Sequence, residues 1–259
     1  MKFLITTLII AAGFQALAQK DSTAADTLKK DKRVSVEITV GTDKDKEKSK
    51  KISDFSIGFT LSRIDLGLSR YLDHGSFTLS PETDFLEFEG WKTHNIGFEF
   101  FQMGYRFNPN VKVYIAGGLD WTHIRLKKNI SFQKDQSELT PVTEDIEFKK
   151  NRFSSQYLRI PLSFQFRTNE DKNGKRFYFV TGPEIGFLLA GKQKQVSDER
   201  GKVKIKDDFN LAPFRYGGFV RLGYQNLGLY TKFYLNDVFA EKQGPADFKN
   251  LAFGLTYGF

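Results

Sequence analysis

The sequence predicts an all-β chain, an eight-stranded antiparallel up-and-down transmembrane β-barrel, and three observations carry that reading. The last nine residues, LAFGLTYGF, place Leu251, Phe253, Leu255, Tyr257 and Phe259 at every second position, with Ala252, Gly254, Thr256 and Gly258 between them. A period of two is a strand signal, with one face against something apolar. Next, from Phe55 onward eight strand candidates are joined by connections that alternate strictly between long and short. That rhythm suits a barrel with short turns at one end and longer loops at the other. Finally, two hairpins sort their residues in the same way, one face apolar and the other carrying the charges.

Composition agrees with an all-β chain. The 259 residues include 27 Phe, 10 Tyr and 22 Gly against 2 Met and 2 Trp, the balance of a sheet rather than a helical bundle. There is no Cys, which excludes a disulfide framework, a Cys-based zinc site and lipid attachment to an N-terminal Cys. The opening MKFLITTLIIAAGFQALAQ has one Lys, an uncharged apolar run and Ala16-Leu17-Ala18, the pattern of a secretory signal over residues 1–18. No later stretch reaches the ~18 consecutive apolar residues of a transmembrane helix. Residues 19–52, with KDSTAADTLKKDKR and GTDKDKEKSKK, form a flexible charged periplasmic segment around one short alternating piece, VSVEITV.

The barrel is expected over 53–259, with strands at 55–70, 93–107, 111–126, 153–167, 175–190, 213–224, 227–236 and 249–259. The short connections are NPN at 108–110, residues 168–174 and Gln225-Asn226; the long ones cover 71–92, 127–152, 191–212 and 237–248. An even strand number puts both termini at the periplasmic end. A turn at Asn108-Pro109 pairs Ile96 with Trp121 and Phe98 with Leu119 on one face. On the other face Glu99 meets Gly118, Gly97 meets Asp120, and Phe101 meets Ala116. The turn at Gln225-Asn226 pairs Leu222 with Leu229 and Val220 with Thr231, and on the opposite face Arg221 with Tyr230 and Phe219 with Lys232. The second face therefore carries Glu99, Asp120, Arg159, Glu184, Arg215, Arg221 and Lys232. Both signs occur, so these seven are expected to form a paired charge network that fills the narrow bore of an eight-stranded barrel.

Three stretches, YLRIPLSFQF at 157–166, GPEIGFLL at 182–189 and the closing NLAFGLTYGF, resemble the PorT-type outer-membrane β-barrel proteins of Bacteroidota. The YLRIPL piece is the most specific, because Pro inside a transmembrane strand is unusual. The resemblance covers about residues 53–259 and implies an outer-membrane location in a Gram-negative bacterium. It also implies that Phe259, with Tyr257 and Leu255, is a sorting signal read by the barrel-assembly machinery. The resemblance carries over no catalytic motif, and one member of the family is connected with protein secretion.

Chemistry is sparse. His74, His94 and His123 all fall at the external end, with Asp73 and Ser76 near His74; His94 and His123 lie on the outward face beside Trp121 as interfacial side chains. Neither H-E-x-x-H nor G-x-S-x-G occurs. Gly117-Gly118 and Gly217-Gly218 lie within strands and serve close packing rather than phosphate binding. No cofactor, metal or nucleic-acid partner is indicated. The stretches KDQSELTPVTEDIEFKK and KQKQVSDERGKVKIK suggest strands continuing past the membrane as hairpins, where binding sites commonly sit. The expected role is non-enzymatic: a structural, assembly or interaction protein of the envelope, in contact with outer-membrane lipid and an unidentified envelope partner. The alternatives are a narrow pore for small solutes or ions, and a secreted lipocalin-like carrier, which would keep its apolar face inside.

Overall fold

Eight strands close on themselves in the computed structural model, which describes residues 55–259. The expected leader at 1–18, the charged segment at 19–52 with its VSVEITV piece, and the first two positions of the 53–259 span lie outside the described residues. The strands are β1 Phe55–Gly58, β2 Arg63–Asp73, β3 His94–Asn108, β4 Val111–Leu126, β5 Ile130–Phe132, β6 Pro141–Thr143, β7 Lys150–Arg167, β8 Phe177–Ser197, β9 Gly201–Asp207, β10 Phe214–Tyr224, β11 Leu227–Tyr234 and β12 Phe248–Gly258. The staves β2, β3, β4, β7, β8, β10, β11 and β12 follow one another in sequence order, each antiparallel to the next, and β12 pairs with β2 to close the ring. A closed ring leaves no edge in the hydrocarbon, where an unpaired backbone group has no water to bond.

Following the register once around shows how strongly the staves lean. The path Phe166–Phe179–Leu222–Leu229–Leu255–Leu66–Ile96–Trp121–Gln156 starts and ends on β7, ten residues higher. Ten residues of rise against eight inter-strand spacings give a tilt of roughly 40°. Most side chains on this path point outward; Leu66, Leu222, Leu229 and Leu255 are all exposed. With the apolar face outside, the lipocalin-like carrier is ruled out.

The first expected strand, 55–70, is broken. β1 and β2 both pair with β3, but Phe59–Ser62 bridge between Gly58↔Gln102 and Arg63↔Glu99 with two residues too many for a continuous ladder. Phe100 is the extra residue of a bulge at the same height on β3, so the pairing of Phe101 with Ala116 is corrected: Phe101 faces Gly117, and Gln102 faces Ala116. The turn also sits one residue later, at Pro109-Asn110, and a second irregularity separates Arg106 from Asn108. The two single-residue shifts offset the displaced turn. Ile96–Trp121, Gly97–Asp120, Phe98–Leu119 and Glu99–Gly118 therefore pair as the arithmetic expects. The hairpin at Gln225-Asn226 has the expected register throughout. Gln225 takes a positive φ of 55°, the left-handed conformation that a two-residue hairpin turn demands.

Beyond the end that carries the long connections, β7 and β8 outrun their expected bounds and β9 pairs back onto β8, so the 191–212 loop is a hairpin continuous with the wall. The 127–152 loop differs: β5 and β6 form a separate two-stranded sheet. Amides tie that sheet down. Gln193 Nε2 donates to Ile130 O and to Asn151 Oδ1, both at 3.0 Å, and Gln195 Nε2 donates to Ile130 O at 3.0 Å. Side chains from these loops and the upper staves then form an apolar core that includes Tyr71, Leu86, Phe132, Phe153, Phe209 and Phe248. Phe132, Phe153 and Phe209 meet ring to ring, at centroid separations of 5.0, 5.5 and 6.2 Å.

Candidate functional site

The inner face of the barrel is a layer of charge. Arg159, on β7, sits at its centre: Nη1 donates to Asp65 Oδ2 at 2.8 Å and Nη2 to Glu99 Oε1 at 2.9 Å. Asp120 and Glu184 lie 3.9 and 3.8 Å from the same guanidinium. Arg221, on β10, donates through Nη2 to Glu99 Oε1 at 2.8 Å and to Asp65 Oδ2 at 3.1 Å. Asp120 also accepts from Arg215 Nη2 at 2.7 Å and from Lys232 Nζ at 2.5 Å. Neutral donors complete the shell: Tyr234 Oη to Glu184 Oε1 at 2.5 Å, Thr256 Oγ1 to Asp65 Oδ1 at 2.7 Å, and Asn95 Nδ2 to Asp120 Oδ2 at 3.0 Å. Arg159 and Arg221 are both 0 % exposed.

Local sequence makes the room. A Cβ on Gly97 would stand 2.9 Å from Arg159 Nη1, and one on Gly186 would stand 2.8 Å from Arg215 Nε. These glycines are gaps into which guanidinium groups fit. The Arg215 guanidinium is held between two rings, 3.9 Å from the Tyr157 centroid and 4.1 Å from that of Tyr234, a contact favoured by the negative ring face. Each charge alone would be costly here; hydrogen-bonded opposite charges on neighbouring staves offset the desolvation. Between this layer and the apolar core above it lies a cavity of about 30 Å³ lined by Tyr71, Thr122, Tyr157, Arg215, Tyr234 and Asn250, room for a couple of waters.

The structure brings Glu99, Asp120, Arg159, Glu184, Arg215, Arg221 and Lys232 together in this one layer. Sequence reasoning missed Asp65, which two arginines share, and Arg63, whose Nε lies 3.6 Å from Glu99 Oε2. The signal was present: in RIDLGLSR the odd positions Arg63, Asp65, Gly67 and Ser69 share a face, and Ile64, Leu66 and Leu68 take the other. With no tight hairpin attached to this stave, no pairing arithmetic reached it.

The three C-terminal residues read as an assembly signal lie elsewhere, on the outer wall. Leu255, Tyr257 and Phe259 are exposed, the Tyr257 and Phe259 rings meet edge-on at 4.9 Å, and Phe259 N donates to Ser62 O at 3.1 Å. His94 and His123 are direct cross-strand partners with rings 5.2 Å apart, and His123 Nδ1 is 2.9 Å from Ser154 Oγ. His74 is remote from both and lies 2.7 Å from Asp73 Oδ1. Among the described residues no group of three or more His, Cys, Asp or Glu is placed to hold a metal ion.

The family model described as "Outer membrane protein beta-barrel domain" matches residues 12–240. The chain belongs to that family. Its location is accordingly the outer membrane, and its inside-polar, outside-apolar wall is that of a membrane-spanning member. Among solved structures it is similar to the crystal structure of Ail, the attachment invasion locus protein of Yersinia pestis, at 15 % identity over 79 % of this chain and 97 % of that one, with a TM-score of 0.32. It is also similar to the same protein in complex with the heparin analogue sucrose octasulfate, at 16 % identity, the same coverage and a TM-score of 0.31. No curated protein matches it.

Proposed function

We propose that this family member is a closed, non-enzymatic barrel of the PorT type in a Bacteroidota outer membrane, serving as a structural, assembly or interaction protein of the envelope. The charge layer carries the reading: Arg159 alone reaches acids on β2, β3, β4 and β8. A bore this narrow is filled by side chains. The sorting of short and long connections to opposite ends supports an orientation with the short turns and Phe259 at the periplasmic end, the long loops outside, and both termini periplasmic. In this reading the barrel-assembly machinery recognises Phe259, and the long loops around the apolar core are the surface offered to an envelope partner. Single-channel recording in planar bilayers tests it. The full chain should be closed or conduct only feebly, whereas a steady, large conductance would reject the plug in favour of a pore for small solutes or ions.

A further inference from the structure

The outer wall carries a second electrostatic feature, opposite in character to the lumen. Above the lipid-facing belt, the register sets Arg125 opposite Arg152, Arg152 opposite Lys194, and Lys194 opposite Lys204, one cation on each of four adjacent strands. Lys192 faces Lys206 directly, two residues away along β8 and β9. Lys150 and Lys202 extend the same face. Like charges directly opposite in a sheet are destabilising, so this arrangement works against the fold. Arg125 shares Glu89 at 3.4 Å. Among the described residues, Lys150, Arg152, Lys192, Lys194, Lys202, Lys204 and Lys206 enter no ion pair, and Arg152 Nε is buried without a hydrogen-bond partner.

Protection of an open sheet edge accounts for part of this. β9 pairs on one side only, and lysines on an edge strand deter aggregation. That explains Lys202, Lys204 and Lys206. It does not explain Arg152, Lys192 and Lys194, which lie on β7 and β8, paired on both sides.

We propose that this face binds the phosphate groups of a phosphorylated glycolipid in the outer leaflet of the outer membrane. Position selects this ligand. Below the cations, the same outer face of β7 carries Leu158, Ile160, Leu162 and Phe164, which point at acyl chains. Arg125 and Arg152 stand four residues beyond the Trp121–Gln156 pair, about 13 Å along the strand and roughly 10 Å in height at the barrel's tilt. An anion meeting that wall just above the hydrocarbon belongs to a lipid whose chains lie against the belt. Rows of Lys and Arg matched to phosphate give strong charge-assisted hydrogen bonds.

The inference rests on the orientation proposed above, and the test separates the two. The full chain, folded in zwitterionic detergent, is titrated with bis-phosphorylated lipid A and with its dephosphorylated counterpart. The phosphorylated form should bind more tightly, and the combined variant Arg152→Gln, Lys192→Gln, Lys194→Gln should lose roughly fivefold in affinity per cation removed. Heat-modifiable gel migration reports whether the variant folds; if it does not, Lys192→Gln alone carries the measurement. Equal affinity for the two lipids, unchanged binding by the folded variant, or preference for a soluble sulfated polymer over the phosphorylated lipid would each overturn the proposal. Orientation is read independently. Because the chain has no Cys, Lys204→Cys supplies a unique thiol, which an impermeant maleimide should label in intact cells. Failure to label would overturn the orientation, and with it the outer-leaflet assignment, whatever the titration gives.

Discussion

Arg159 and Phe153 lie six positions apart on β7, both point inward and both are fully buried, yet opposite chemistry holds them. Around Arg159 the barrel is polar inside and apolar outside, with Leu158 facing lipid. Around Phe153 the order is reversed, apolar inside and Arg152 outside. β4 inverts in the same way, from Asp120 inside and Leu119 outside to Ile124 inside and Arg125 outside. The difference follows from the solvent. In hydrocarbon an apolar side chain gains little by turning inward, and charges are best hidden among themselves. Above the membrane, water restores the hydrophobic drive and the loops collapse on an aromatic core.

If the two regions are held by different forces, they should fail differently. The largest effect is expected from Arg159→Leu, which strands Asp65, Glu99 and Glu184 with fewer partners and should cost about 3–5 kcal/mol or prevent assembly. It is measured as a lowered temperature for the heat-modifiable shift. Arg221→Leu should follow with a smaller loss, because Asp65 and Glu99 keep Arg159. Phe153→Ala should cost about 3 kcal/mol, but locally: limited proteolysis should open the loops while the barrel keeps its resistance to heating in detergent. Simultaneous melting of barrel and loops in that variant would show the two layers to be one cooperative unit.

Deleting Phe259 sharpens the comparison from outside both regions. Its ring is exposed and its N–H donates only to Ser62 O, so the finished barrel should keep its stability while insertion slows and unassembled chain collects in the periplasm. Pulse-chase assembly assays measure this; unchanged kinetics would reduce the terminal pattern to an ordinary strand end. The smallest effect concerns His74. The hydrogen bond to Asp73 raises its pKa above the ordinary 6.5. A group with a raised folded pKa stabilises most below its unfolded value and loses that contribution as pH rises through the folded value. Protection of the segment after Asp73 from proteolysis should therefore fall modestly as pH rises above about 6.5, and His74→Ala should abolish the dependence.

The staves were legible because alternation and tight turns are local, and the Gln225-Asn226 hairpin shows it: two residues fix every pair above them. The charge layer was legible where a tight turn fixed the pairs or apolar neighbours marked the faces, as around Arg159; Asp65, on a stave with no tight hairpin, stayed hidden although RIDLGLSR alternates. The loop core was not legible. Phe132, Phe209 and Phe248 are distant in sequence and show no period, and what unites them is the ring's geometry. Nor does a period of two announce an inversion of polarity, since Arg152-Phe153 and Leu158-Arg159 fit the same alternation with the media exchanged.

Every stave of the barrel contributes to the lumen layer: Asp65 from β2, Glu99 from β3, Asp120 from β4, Arg159 from β7, Glu184 from β8, Arg215 and Arg221 from β10, Lys232 from β11 and Thr256 from β12. The hydrogen-bond shell of Asp65 is complete only when the first and last staves have met, because Thr256 on β12 donates to its Oδ1. A ring lacking β12 would leave Asp65 Oδ1 without its Thr256 donor beside an open seam, while Oδ2 kept Arg159 and Arg221. The strand that closes the backbone ladder is thus also the one that completes the hydrogen-bond shell of a buried carboxylate, so that wall and lumen are finished by the same stave.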